Sequence, residues 1–335
     1  MALFIYPPTI DWSWMKQRPQ QLMKQFSRLG HIVYYCNKTV KDLPTEQIEP
    51  NLHLVHHHER WLTHEWPQIK MTNQAPVIVW CSFPKLSSTL RQYHPDTIIY
   101  DCVDEFAVWA PYEHDMVMTA DAIVCTAERL KIQLSRKYPT KPLVLVPNGY
   151  DPDMGLHHVA STPCKKPDDL PDGQLVGYIG AWAPWVDQSL VLSLPKHLNG
   201  TKVVIIGPEF GRKYVKNTTG VQFLGLKSHD QLPAYLINLS VCIIPFRLNP
   251  LTLSTNPVKA YEYLAAGKPV ITTNLPECRR MQPYVDISTS NRIFTDLVNL
   301  RLQHPGDANS RIQYALNHTW EHRAKQIETF LQKLT

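Results

Sequence analysis

The feature that most constrains this chain is an alternation of short apolar runs with amphipathic stretches, and the alternation occurs twice. In the first half, residues 3–6, 31–36, 77–81, 97–102, 122–126 and 143–146 read as strands. The stretch at 19–29 between the first two carries Leu22, Met23, Phe26 and Leu29 at helical spacing and stops before Gly30. In the second half the strands fall at 175–179, 203–206, 221–223, 241–244 and 270–272, with helices at 231–239 and 257–266 among them. Alternation of this kind calls for mostly parallel sheets covered by helices on both faces. The expected fold class is α/β, with two Rossmann-like doubly wound domains facing a central cleft.

Between the halves lies "ASTPCKKPDDLPDG", which starts at Ala160, lacks periodicity and reads as a linker. The expected organisation is therefore an N-terminal domain over 1–160, a linker over 161–173 and a second domain over 174–306. A helical run over 307–335 completes the chain, longer than a helix packed on a sheet needs.

Composition narrows the class. With 44% hydrophobic and 19% charged residues, 335 residues make a globular chain of two ordinary domains. The formal charge of +5 suits an anionic substrate or a membrane surface. It is too small, and too free of basic stripes and motifs, to argue for nucleic acid. The seven cysteines are odd in number and none has C-x-x-C spacing, so neither a disulfide framework nor a zinc site is expected. Buried free thiols suit a reducing cytoplasm. "MALFIYPPT" lacks the basic start of a signal peptide, and no apolar run approaches the length of a membrane span.

One stretch combines structure with chemistry: "STNPVKAYEYLAAGKPVIT", beginning at Ser254. Asn256 reads as a helix N-cap, Pro257 as the first helical residue, and Gly267 as the stop before Pro269. Val258, Tyr261 and Ala265 fall on one face, with Glu262 on its flank, one turn from Lys259. A helix start offers unpaired N–H groups and a positive dipole end to a phosphate. Glu262, about 5 Å deeper along the helix, is then at the distance of a ribose attached to that phosphate. The alternative is a solvated glutamate paired with Lys259.

Read together, several stretches carry a resemblance. They are "WSWMKQRPQQL" from Trp12, "YDCVDEF" from Tyr100, "VPNGYD" from Val146 and "VGYIGAWAPWVD" from Val176. To these are added "VQFLGLKSHDQLPAYL" from Val221, "IIPF" from Ile243, "NPVKAYEYLAAGKPV" from Asn256 and "TWEHRA" from Thr319. In this order, over almost the whole length, the set resembles glycosyltransferases of the GT-B fold. The likeness is to the bacterial teichuronic-acid-biosynthesis group and, more distantly, to family 4. The resemblance implies a nucleotide-sugar donor, UDP-linked, bound by the C-terminal domain, and an acceptor presented by the N-terminal one. It implies ribose contact by Glu262, diphosphate contact by the backbone of Asn256, Pro257 and Val258, and a last helix that crosses back to the first domain. Ser254 and Thr255 complete the expected donor turn. Many relatives carry two glutamates eight positions apart; here the earlier position is Ser254. The glycine pair common after the first strand is replaced by "PPTIDW".

Sugar transfer needs charge neutralisation at the departing diphosphate and a base for the acceptor hydroxyl. Lys259 and Arg247 are the candidates for the first, without a metal or other cofactor; a solvated loop residue is the other reading of Arg247. Lys227 joins them through side chain or backbone, and Gly177 and Gly180 are expected to let backbone approach a phosphate. For the base, "YDCVDEF" supplies Asp101, Asp104 and Glu105 after a strand, with Asp104 preferred. The competing role of Asp104 is an N-cap or an Asx-turn at the next helix. Arg18 is placed to pair with a phosphate, and Trp12 and Trp14 to stack on sugar or lipid or else to pack the loop. Trp182 and Trp185 share that ambiguity. "DPD" at 151–153 reads as a turn, not a metal motif. "HHHE" at 56–59 reads as a solvated edge or loop, because consecutive strand residues face opposite ways.

The expected function is transfer of a sugar from a nucleotide-sugar to a glycan or lipid-linked acceptor in bacterial surface-polysaccharide or glycoconjugate synthesis. The expected location is cytoplasmic, with peripheral contact at the inner membrane face for a lipid-linked acceptor. The alternatives are a catalytically silent nucleotide-binding subunit and a sugar-nucleotide epimerase of the same fold.

Overall fold

The structure, a computed structural model, describes residues 1–161, 165–215 and 218–334. Two compact units emerge, one made of Met1–Asn148 with Trp320–Thr335 and the other of Gly149–Thr319.

The first unit is built on eight strands: β1 (Leu3–Tyr6), β2 (Ile32–Cys36), β3 (Glu46–Glu49), β4 (Leu52–Val55), β5 (Val77–Cys81), β6 (Thr97–Cys102), β7 (Ala122–Cys125) and β8 (Leu143–Leu145). Their order across the sheet is β3-β4-β2-β1-β5-β6-β7-β8. All neighbours are parallel except β3 and β4, an antiparallel edge pair. Central strands such as β1, "LFIY", and β5, "VIVWC", are buried along their whole length. Helices cover both faces of a parallel sheet, so such strands are continuous apolar runs rather than alternating ones. The Arg18–Arg28 helix begins with a capping box between Gln17 and Gln20 and inserts Leu22, Met23 and Phe26 beneath β1. It packs against the Trp320–Leu331 helix, where His31 Nε2 lies 2.6 Å from the Glu328 carboxylate.

The second unit has six parallel strands: β9 (Leu175–Ile179), β10 (Lys202–Ile206), β11 (Val221–Gly225), β12 (Val241–Ile244), β13 (Val270–Thr273) and β14 (Asp286–Ser288). The order is β11-β10-β9-β12-β13-β14. From β9 the chain first builds outward through β10 and β11, then returns to lay β12 on the other side. The gap between the carboxyl ends of β9 and β12 is thus the topological switch point, where α/β sheets bind ligands. In the first unit the equivalent point lies between β1 and β5, where Tyr6 Oη and Ser82 Oγ are 2.7 Å apart.

Four expectations about the fold are corrected. The units divide at Gly149 and Thr319, not at 160 and 307. Tyr150 explains the shift: its N–H donates to His318 O at 2.9 Å, and its buried ring, with Leu156, belongs to the second core. The terminal helical run is two helices, Ala308–Leu316 and Trp320–Leu331, separated at 317–319. Residues 162–164 of the expected linker lie outside the described residues. The remainder of the linker is anchored: Leu170 enters the second core, and Asp169 accepts hydrogen bonds from Lys227 Nζ at 2.6 Å and Tyr235 Oη at 2.7 Å. Finally, the histidine run is not a solvated edge. His56 is buried between Asn37 and Glu46, and His58 lies 2.7 Å from Tyr93 Oη.

Candidate functional site

The helix that holds Glu262 runs from Val258 to Ala265. Pro257, in an extended conformation, is the N-cap, so Asn256 is not the cap and Pro257 not the first helical residue. Asn256 is instead buried, and its Nδ2 donates to Glu277 Oε2 at 3.2 Å. Gly267 does end the helix, at φ +68°. The buried face is Ala260, Tyr261, Tyr263, Leu264 and Ala265. Val258 leaves that face and joins Lys259 and Glu262 on the half-buried side. Tyr263 ties the helix to the end of β9, its Oη accepting from Ile179 N at 2.8 Å.

These ties bring Lys259 to the switch point. Its ammonium lies 5.0 Å from the centre of the Phe246 ring, just past β12, and 5.6 Å from that of Tyr178 on β9. Beside it, at the end of β9, is Gly180 with φ +150°; a Cβ there would come within 2.9 Å of Lys259 Cε. At the end of β10, Gly207 packs so tightly that a Cβ would lie 2.1 Å from Gly180 O. Backbone, a helix start and a cation therefore meet at the carboxyl ends of β9, β10 and β12. That arrangement suits a phosphorylated ligand.

Glu262 stands one turn from Lys259. Burial pushes its carboxyl group up to about 7, against the pull of Lys259 and with added repulsion from Asp151. The residue as a whole is half-buried. Arg247, on the loop after β12, is exposed, and its side chain makes no ion pair among the described residues. Its backbone is held: Arg247 N donates to Trp185 O at 2.8 Å, and Thr252 Oγ1 donates to Arg247 O at 2.5 Å.

Other residues expected at the donor have partners within the protein. Ser254 is fully buried as the C-cap of the short Pro250–Leu253 helix, and Thr255 Oγ1 donates to Leu251 O at 2.8 Å. The Lys227 ammonium is occupied by Asp169 and lies over the Tyr235 ring. Gly177 faces Leu239, whose Cδ1 would be 2.1 Å from an added Cβ, so it serves packing within β9. Trp182 is buried and donates to Lys213 O, while Trp185 is half-buried near Phe210.

In the first unit, Arg18 is the first residue of its helix and is buried. Its Nε lies 2.9 Å from both carboxylate oxygens of Asp101, which also accepts from Trp80 Nε1 at 3.1 Å. Arg18 Nη1 reaches Asn148 Oδ1 at 3.2 Å. Arg18 and Asp101 thus form a buried ion pair inside the unit. Asp104 lies half-buried in the irregular segment after β6; the next helix starts at Ala110 with Trp109 as its N-cap, so Asp104 is not that helix's N-cap. Glu105 is held by Arg129 at 3.2 Å and Gln133 at 3.4 Å. Trp12 packs edge-on against Tyr35, whereas Trp14 is half-exposed.

Sequence reasoning missed Gly207 and Glu277. Gly207 repeats the pattern that singled out Gly180, an apolar strand ending in glycine ("YIG", "IIG"), and was legible. Glu277 carries no such signal, because nothing in "LPEC" marks its carboxylate as buried.

A two-unit α/β chain with these sheets has the GT-B fold of nucleotide-sugar glycosyltransferases. Its structure superposes on a sucrose-phosphate synthase from Thermosynechococcus elongatus with a TM-score of 0.69, at 14% identity, over 100% of this chain and 99% of that one. The Anabaena protein HepE, solved in complex with UDP and glucose, matches with a TM-score of 0.69 at 11% identity, over 99% of each chain. Residues 173–287 match the family described as glycosyl transferases group 1. In sequence, the chain is 26% identical over 235 residues to TuaH of Bacillus subtilis (strain 168), described as a teichuronic acid biosynthesis glycosyltransferase. That match covers 62% of this chain and 58% of the relative.

Proposed function

We propose that this protein transfers a sugar from a nucleotide-sugar, UDP-linked, to a glycan or lipid-linked acceptor of a bacterial surface polysaccharide or glycoconjugate. The observation that carries the reading is the pairing of Lys259 and Glu262 on one helix at the switch point of a group 1 domain. The diphosphate would lie against the helix start and the backbone at Gly180 and Gly207. Lys259, with Arg247 from the neighbouring loop, would stabilise the charge that grows as the glycosidic bond breaks. The Glu262 carboxylate would accept hydrogen bonds from the ribose hydroxyls. This division of labour asks for no metal. Asp104 on the first unit is the proposed base for the acceptor hydroxyl.

The complex of HepE with UDP and glucose supports the choice of a uridine donor, and the TuaH likeness supports a cell-surface glycan as product. No helix among the described residues is long and apolar enough to cross a membrane. A lipid-linked acceptor would therefore be met at the membrane surface, at the cytoplasmic face. A second reading, a catalytically silent nucleotide-binding subunit, is favoured by Ser254, which is buried where relatives carry a glutamate.

The test is to incubate the purified protein with UDP-glucose, UDP-N-acetylglucosamine and GDP-mannose and to follow release of the nucleoside diphosphate. Release from a UDP-sugar supports the enzyme. Binding without release, with every donor and with added lipid-linked or glycan acceptors, favours the silent subunit.

A further inference from the structure

The residues assigned to the donor come from two segments, the loop after β12 and the start of the Val258–Ala265 helix. Within the loop, Thr252 Oγ1 donates to Arg247 O and Thr255 Oγ1 to Leu251 O. The end of β13 and the turn after it bond to both segments. Thr273 Oγ1 donates to Phe246 O at 2.6 Å, holding the loop that leads to Arg247. Four residues on, Glu277 accepts from Asn256 Nδ2 at 3.2 Å, holding the residue just before the N-cap of the helix. Glu277 and Asn256 are 2% and 3% exposed.

A carboxylate in such a place is costly unless it is hydrogen-bonded, and an apolar residue would pack the same space without that cost. It also puts negative charge near a helix start suited to phosphate, which by itself would weaken anion binding. Both costs are offset if the carboxylate sets the geometry of the turn. The bond spans twenty-one positions of sequence and fixes an amide whose own backbone enters the phosphate-facing turn. Within "TNPVK", Thr255 Oγ1 bonds back to Leu251 O, whereas Pro257 has no N–H and makes no side-chain cap.

We propose that Glu277 is a positioning residue for the donor diphosphate: through Asn256 it holds the turn that opens the Val258–Ala265 helix in its binding geometry. The inference rests on the donor-site reading given above. Glu277 itself does not touch the ligand. Its removal acts on affinity for any nucleoside diphosphate and leaves the chemistry of a bound donor largely intact. Glutamine keeps an oxygen to accept from Asn256, so it retains the function that alanine loses.

The experiment is calorimetric titration of UDP and GDP into wild type, Glu277→Ala, Glu277→Gln, Asn256→Ala and the double alanine variant. Donor KM and kcat are read alongside from release of diphosphate. The expected result is at least tenfold weaker UDP binding for Glu277→Ala and Asn256→Ala, no further loss in the double variant, and Glu277→Gln within threefold of wild type. KM rises and kcat changes little. Wild-type affinity in Glu277→Ala, or losses that simply multiply in the double variant, overturns the positioning role while the donor site stands. If Glu277→Ala does not fold, unchanged affinity in Asn256→Ala overturns it equally. A wild type that binds neither nucleotide overturns the donor-site reading, and this inference with it.

Discussion

Lys259 and Glu262 project from the same half-buried side of one helix, one turn apart. The ammonium is held over the Phe246 and Tyr178 rings at the mouth of the switch point. The carboxyl group lies one turn further along, in surroundings that disfavour its charge. Each consequence of that arrangement can be measured.

Glu262 ionises near 4.5 in an unfolded chain and near 7 in the folded protein. The folded state therefore holds the proton more tightly. The associated stability is complete below pH 4.5 and is lost as pH rises through 7, an effect of at most about 3 kcal/mol. Glu262→Gln removes the titration. Its stability relative to wild type should climb between pH 5 and pH 8 in denaturant unfolding, and a flat difference would mean that the carboxyl group is solvated.

Arg18 and Asp101 form a buried ion pair, with side chains 4% and 0% exposed. Removing one partner strands the other charge, which costs about 3–5 kcal/mol. Arg18→Ala should lose stability on that scale, whereas Lys16→Ala, at an exposed loop position, should change it by less than about 0.5 kcal/mol. Chemical denaturation of the two variants makes the comparison, and equal stability would contradict a structural role for Arg18.

Gly207→Ala tests the close approach of backbone at the strand ends. The new methyl group would overlap Gly180 O, and φ is +147°. Loss of about 1–3 kcal/mol is expected, together with loss of nucleotide binding. Gly155→Ala is the control: it has positive φ but open space around it, so strain of about 1–2 kcal/mol should appear without any change in binding.

Arg247 is exposed, and its side chain makes no ion pair among the described residues. Arg247→Ala should leave stability within about 0.5 kcal/mol of wild type. If it stabilises the departing diphosphate, release of nucleotide from the donor should slow by about a hundredfold. An unchanged rate would return Arg247 to an ordinary loop residue.

Much of the fold was legible because parallel strands buried on both faces leave continuous apolar runs; "LFIY" and "VIVWC" could hardly be anything else. The edge strands β3 and β14, and β4 beside β3, were missed because they lack that signature; β3 is "EQIE" and β4 is "LHLV". The placement of Glu262 and Lys259 on one side of a helix could be anticipated from the spacing. Arg18, Lys227 and Ser254 looked equally available, but each is enclosed by groups distant in sequence: Asp101, Asp169 and the packing around the Pro250–Leu253 helix. Local pattern reports which residues can reach a site. It does not report which of them the rest of the chain has already engaged, and Glu277 with Asn256 is the same lesson in reverse.

The most direct test of the donor site is calorimetric titration of UDP into wild type and Glu262→Ala at pH 8, where the carboxyl group is ionised. The account predicts binding by wild type and a loss of about 2–3 kcal/mol in the variant, roughly a 30- to 150-fold weaker affinity. Equal affinity in the two proteins would contradict it.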